Sequence, residues 1–141
     1  MALEGVNLKC LKVLIQHEIG ELRRIKKELK LNEHISYVEN FSVSIAELLF
    51  FNPGYSQIIL ENLRSSDVVF FEDNFMVIFF PGTDKEGAIH ILEGLKEFFG
   101  EEGKYVVSTY PEDGDSYESL IESIKLFARE KGIEIINQIS L

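Results

Sequence analysis

Arg64 and Asp67 stand three residues apart, just ahead of the apolar run Val68-Val69-Phe70-Phe71, and place a donor fork and a carboxylate at one turn. A guanidinium can chelate a phosphate or a planar acceptor edge through paired hydrogen bonds, and a carboxylate accepts from N–H groups, so the pair could hold a small polar ligand. It is equally suited to structural work: an arginine in the last turn of a helix interacts well with its dipole, and aspartate favours the turn before a strand. Glu72 and Asp73 lie between two hydrophobic runs, and Glu47 ends an earlier one. Carboxylates so placed could ligate a divalent cation, yet Asp73-Asn74 also reads as a polar hairpin turn. Glu112, Asp113 and Asp115 form a third acidic group, but with too few oxygen ligands and no loop consensus for calcium it reads as a solvated turn.

Other chemistries find no support. His17, His34 and His90 have no partner at helical spacing, no serine sits in a Gly-x-Ser-x-Gly elbow, and no glycine-rich phosphate loop is present. The single cysteine, Cys10, can form no intramolecular disulfide and has no zinc-site partner, which suits the cytoplasm. No cofactor and no metal are expected.

The 141 residues, 45% of them hydrophobic, fit a single domain spanning 1–141. A net charge of −10 argues against a nucleic-acid partner held by phosphate contacts. Arg23, Arg24, Lys26, Lys27 and Lys30 do cluster, but among acidic residues, as on a solvated helix face. No apolar run approaches the roughly 18 residues that span a bilayer, and no secretory signal opens the chain, so no membrane partner and a cytoplasmic location are expected.

The elements that must position these residues follow from periodicity. Leu8, Leu11, Ile15, Ile19, Leu22, Ile25 and Leu29 recur at three- and four-residue steps and predict an amphipathic helix over 8–30. Its heptad-like seam is broken at Glu18; it could pair with a second copy of itself, although packing within its own domain is favoured. Phe41, Val43 and Ile45 alternate with Ser42, Ser44 and Ala46, predicting a strand over 41–49, stopped by Asn52-Pro53-Gly54. Ser56 could cap a short helix through Leu63. The segments 67–71 and 75–80 predict an antiparallel hairpin. Thr83 or Asp84 could cap a helix carrying Ala88, Ile91, Leu92, Leu95 and Phe98. A strand over 104–109, a helix from Ser116 to Gly132 and a closing strand over 133–139 complete an α/β core over 41–139. The fold class is α/β (α+β): a mixed central sheet with an antiparallel hairpin, covered by helices.

The run Arg64-Ser65-Ser66-Asp67-Val68-Val69, then a hairpin, then Phe80-Pro81-Gly82-Thr83-Asp84, resembles the middle of a GGDEF (diguanylate cyclase) domain. Tyr110-Pro111-Glu112-Asp113-Gly114 with Tyr117-Glu118-Ser119-Leu120 is similar to the family's later turn and helix start, so the resemblance covers about residues 41–136. It implies a nucleotide-cyclase-like fold. The departures bear on activity. Where the family has Gly-Gly-Asp/Glu-Glu-Phe, this chain has Glu72-Asp73-Asn74-Phe75, and side chains there block the close backbone approach that glycine allows. The family's first-strand metal positions fall at Glu47 and Leu49, and leucine cannot ligate. The segment that grips guanine is short, Phe50 to Tyr55 holds no acidic residue, and Lys131 is only an ambiguous counterpart of the phosphate-binding lysine.

The resemblance therefore implies a non-catalytic signalling module working through a protein partner or self-association, possible through the 8–30 helix, with Glu47, Glu72 and Asp73 as vestigial positions. An alternative is a cyclic di-GMP receptor using Arg64 and Asp67 as the family's Arg-x-x-Asp site, although the helix after the hairpin offers only Lys85 and Lys96 for that site's second arginine. On that alternative, Arg64→Ala weakens binding while leaving the fold intact. An active cyclase is the most distant reading.

Overall fold

The computed structural model describes residues 1–28, 39–48, 53–99 and 103–141. In chain order the elements are β1 (Leu3–Glu4), α1 (Cys10–Glu28), β2 (Phe41–Glu47), α2 (Pro53–Glu61), β3 (Val68–Phe71), β4 (Phe75–Pro81), α3 (Lys85–Phe99), β5 (Tyr105–Tyr110), α4 (Tyr117–Lys131) and a 3-10 helix (Glu134–Gln138). Leu29, Lys30, His34, Leu49, Phe50 and Asn52 lie outside the described residues.

Among the described residues the strands form a five-stranded sheet in the order β1-β3-β4-β2-β5. The β3–β4 hairpin is antiparallel, β2 pairs antiparallel with both β4 and β5, and β1 pairs parallel with β3. β2 to β3 and β4 to β5 are thus two crossovers, each skipping one strand, through α2 and α3; this is the split βαβ arrangement. α2 and α3 cover one face with Ile59, Leu60, Leu63, Ala88, Leu92 and Leu95. α1, α4 and the 3-10 helix cover the other, where Leu11, Ile15, Ile19 and Leu22 meet Leu120, Ile121 and Ile124.

Having helices on both faces explains why the alternation in β2 does not mark a wet side. Phe41, Val43 and Ile45 enter the core under α1 and α4, while Ser42, Ser44 and Ala46 face the other layer, and all six are buried. Phe41 stacks on Tyr110 with ring centroids 5.1 Å apart and meets Phe79 edge-on at 5.6 Å. Ser44 Oγ is buried with no hydrogen-bond partner among the described residues. An unsatisfied buried hydroxyl costs about 1–3 kcal/mol, and its removal leaves only a small void. Ser44→Ala is therefore expected to raise stability by about 1 kcal/mol, read as a higher urea midpoint at unchanged slope; a lower midpoint would show that the hydroxyl is satisfied.

Two expectations are corrected. The segment 133–139 is a 3-10 helix, not a strand. Gly132 caps α4 in the left-handed region (φ 80°), Ile133 N–H donates to Ala128 O at 2.8 Å, and the reversed chain buries Ile133 and Ile136 three residues apart. Pro53 and Gly54 open α2 rather than stopping β2, since a proline at the first helical position forfeits no needed donor, and Ser56 lies inside the helix. The seam of α1 packs into the chain's own core, the arrangement the sequence favours, each buried aliphatic contributing roughly 1.5–3 kcal/mol. Among the described residues no helix is long and apolar enough to cross a membrane.

Candidate functional site

Arg64 and Asp67 close the turn between α2 and β3. Asp67 N–H donates to Arg64 O at 3.0 Å, and Asp67 Oδ2 accepts from the Arg64 backbone N–H at 2.9 Å, a side-chain mimic of a backbone turn. The guanidinium then folds onto the same carboxylate, with Nε on Oδ2 at 3.3 Å and Nη2 on Oδ1 at 2.8 Å. Nη2 also donates to Pro81 O at 2.9 Å and to Thr83 Oγ1. The Asp67 side chain is fully buried and that of Arg64 is 49% exposed, so the carboxylate is sealed behind the guanidinium. The pair is assembled, but its two members face each other. What remains for a visitor is Arg64 Nη1, which has no hydrogen bond among the described residues.

Arg64 lines an open cleft of about 730 Å³, shared with Glu39, Asn40, Thr83, Asp84 and His90. The cleft forms because Gly82, in the left-handed region (φ 65°), turns the chain sharply from β4 into α3. Asp84 Oδ1 accepts from Gly87 N–H at 2.8 Å and caps α3, as the sequence suggests. Lys85 and Lys96 do not line it: Lys85 Nζ pairs with Asp113 Oδ2 at 2.7 Å and Lys96 Nζ with Glu93 Oε2 at 3.3 Å. Glu18, where the α1 seam breaks, is held above the ordinary carboxylate range by burial and then by the charge of Glu39.

Glu47, Glu72 and Asp73 gather at one end of the sheet. Glu47 is opposite Phe75 in the β2–β4 register, and Glu72 N–H donates to Phe75 O at 2.9 Å, leaving Asp73-Asn74 as a two-residue hairpin turn. Leu48 N–H donates to Asn74 O at 2.9 Å and pins the turn to the end of β2. Glu47 exchanges bonds with Lys104, its N–H donating to Lys104 O at 2.8 Å and its Oε1 accepting from Lys104 N–H at 3.4 Å. Among the described residues no three His, Cys, Asp or Glu side chains come together as a metal site.

Asp113 departs from its reading as part of a solvated turn. Its side chain is 10% exposed, and Oδ2 accepts from Thr109 N–H at 2.8 Å as well as pairing with Lys85. The sequence reading also missed Thr83 as a partner of Arg64, and Ser42, which joins Thr83 to Thr109. Their only signal is hydroxyls within otherwise apolar or turn segments, a common composition with no specific reading.

Solved structures carry the same architecture. The chain superposes on the GGDEF domain of YfiN (TpbB) from Pseudomonas aeruginosa with a TM-score of 0.51, 14% identity and coverage of 79% of this chain and 86% of that one. For a diguanylate cyclase protein of Thermotoga maritima the values are 0.52, 16%, 89% and 95%. For a sensory box/GGDEF family protein of Caulobacter crescentus they are 0.56, 16%, 91% and 93%. No family model and no curated protein matches the sequence. The fold is that of GGDEF domains: among the described residues, a mixed five-stranded sheet flanked by four α-helices.

Proposed function

We propose that this GGDEF-like chain is a non-catalytic regulatory domain, placed in the cytoplasm, that acts through contact with a protein partner. The observation that carries this reading is the β3–β4 turn. It is two residues long, both bear side chains, and its Asn74 carbonyl is bound to Leu48 N–H. A turn so filled and tied offers no bare backbone for a nucleotide to lie against. Purified protein given GTP with magnesium or manganese is expected to yield no cyclic di-GMP. Metal-dependent product that disappears in Glu47→Ala would overturn the reading and restore the cyclase.

The Arg64 cleft favours a second reading, a cyclic di-GMP receptor. Arg64 Nη1, which has no hydrogen bond among the described residues, could donate to a guanine edge or a phosphate, while Asp67 would accept from a guanine only after releasing Arg64. Calorimetry separates the two. On the receptor reading, Arg64→Lys, which keeps a cation for Asp67 but lacks the Nη1 donor, lowers affinity at least tenfold, as loss of a charge-assisted bond of about 1.5–3 kcal/mol demands. No binding at millimolar ligand, or binding indifferent to this substitution, leaves the protein-contact reading alone.

A further inference from the structure

Four of the six buried polar residues among those described, Ser42, Asp67, Thr83 and Thr109, belong to one continuous hydrogen-bonded chain that crosses an end of the sheet. It starts at the cleft, where Arg64 Nη2 bridges Asp67 and Thr83 Oγ1. Ser42 Oγ on β2 donates to Thr83 O at 2.8 Å and lies 2.9 Å from Thr109 Oγ1 on β5. Thr109 in turn holds Asp113 by two bonds, Thr109 N–H to Asp113 Oδ2 at 2.8 Å and Asp113 N–H to Thr109 O at 2.7 Å. From that loop, Asp113 O accepts from Ser123 Oγ of α4 at 2.6 Å, and Asp115 O accepts from Arg23 Nη2 of α1 at 2.9 Å.

The proton order within the chain is fixed. A carbonyl cannot donate, so the single Ser42 hydroxyl proton goes to Thr83 O, and Ser42 Oγ must accept from the Thr109 hydroxyl. Thr83 Oγ1 accepts from Arg64 and donates to Pro81 O at 3.2 Å. All the hydroxyls therefore depend on where Arg64 holds the 81–83 turn. If that turn shifts, Ser42 loses its acceptor, both buried hydroxyls are free to reverse, and the bond network that positions the β5–α4 loop loses its anchor.

We propose that the Arg64 cleft and the α1–α4 side of the sheet are energetically coupled through Thr83, Ser42, Thr109 and Asp113, so that whatever engages Arg64 alters the hold of the 111–115 loop on α1 and α4. This goes beyond the functional reading above and depends on the identity of neither ligand nor partner. The warrant for such coupling is an element with two arrangements, here the hydroxyl pair Ser42 and Thr109, which the Thr83 carbonyl orients from the cleft end and whose Thr109 holds Asp113 through its backbone.

Amide hydrogen exchange on the full chain tests it. Arg64→Lys is expected to speed exchange of the Asp113 amide on the order of tenfold relative to the core amide of Leu92, which corrects for any global loss of stability. In a Thr109→Val background, where the hydroxyl link is already cut, the same substitution should add less than about twofold. Ser42→Ala provides an independent cut should Thr109→Val fold poorly. The proposal is overturned if the effect of Arg64→Lys stops at residues 64–67 and 81–83, or if it reaches Asp113 undiminished with either link removed.

Discussion

Arg64→Ala will lower the stability of the fold by about 3 kcal/mol, and Asp67→Asn by only about 1–2 kcal/mol, although the two side chains belong to one ion pair. The asymmetry follows from burial. Without the guanidinium, the fully buried Asp67 carboxylate keeps, among the described residues, only the backbone N–H of residue 64 at 2.9 Å as a donor. Removing one partner of a fully buried pair costs about 3–5 kcal/mol, and the lower end applies because Arg64 is half exposed and partly screened. Asp67→Asn, by contrast, strands no charge: the guanidinium still reaches Pro81 O, Thr83 and solvent, the amide oxygen still accepts, and the cost is the amide NH2 group set against an Arg64 donor. Urea unfolding followed by circular dichroism checks the order. Arg64→Ala combined with Asp67→Leu should be milder than Arg64→Ala alone, because no orphaned charge is left. Equal costs for the two single substitutions would mean that the carboxylate reaches water by another route. Because a loss of that size would confound the readout, Arg64→Lys rather than Arg64→Ala is the variant for ligand and coupling experiments.

How much was legible in the sequence depended on the range of the interaction that decides each element. Helices α1, α3 and α4 and the β3–β4 hairpin are set by local periodicity, caps and turn residues, and the structure has them close to where the pattern places them. β1 was missed because two residues carry no periodic signal. It exists only through bonds to distant backbone, Leu3 N–H to Asp67 O at 3.0 Å and Gly5 N–H to Val69 O at 2.7 Å, and through Gly5, where any Cβ would run into the Phe70 ring. The closing segment is β-branched enough to read as a strand, but Gly132 turns it back onto α4 before it can reach a sheet edge. The pairing of Arg64 with Asp67 was visible, since three residues is contact spacing across a turn. Whether the pair faces a ligand or itself was not, because that is decided by Pro81 O and Thr83, which the chain brings over only after completing the hairpin.

Asp113 shows the same limit from the other side, and the substitution there separates a solvated turn from a structural hub. Pro111-Glu112-Asp113-Gly114 has the composition of any exposed turn, and an exposed aspartate changed to alanine should alter stability by no more than about 0.5 kcal/mol. The structure demands more. Asp113 Oδ2 is the acceptor for the N–H of Thr109, a residue with no exposure, and the counter-ion of Lys85, whose ammonium lies 5.1 Å from the centre of the Phe127 ring in a partly buried position. Asp113→Ala strands a buried N–H, at about 1–3 kcal/mol, and leaves a partly desolvated ammonium without its anion, so a loss of about 3 kcal/mol is expected. Two further variants apportion it. Asp113→Asn keeps an acceptor for Thr109 N–H and loses only the charge, and should cost about half as much. Lys85→Met keeps packing against Phe127 while removing the ammonium, and should be milder still, because Asp113 retains its bond from Thr109 and has some access to water. Denaturant unfolding of the three variants gives the order. If Asp113→Ala costs no more than Lys85→Met, the Thr109 bond carries no weight; if all three fall within about 0.5 kcal/mol of the parent, the loop is the solvated turn its composition suggests.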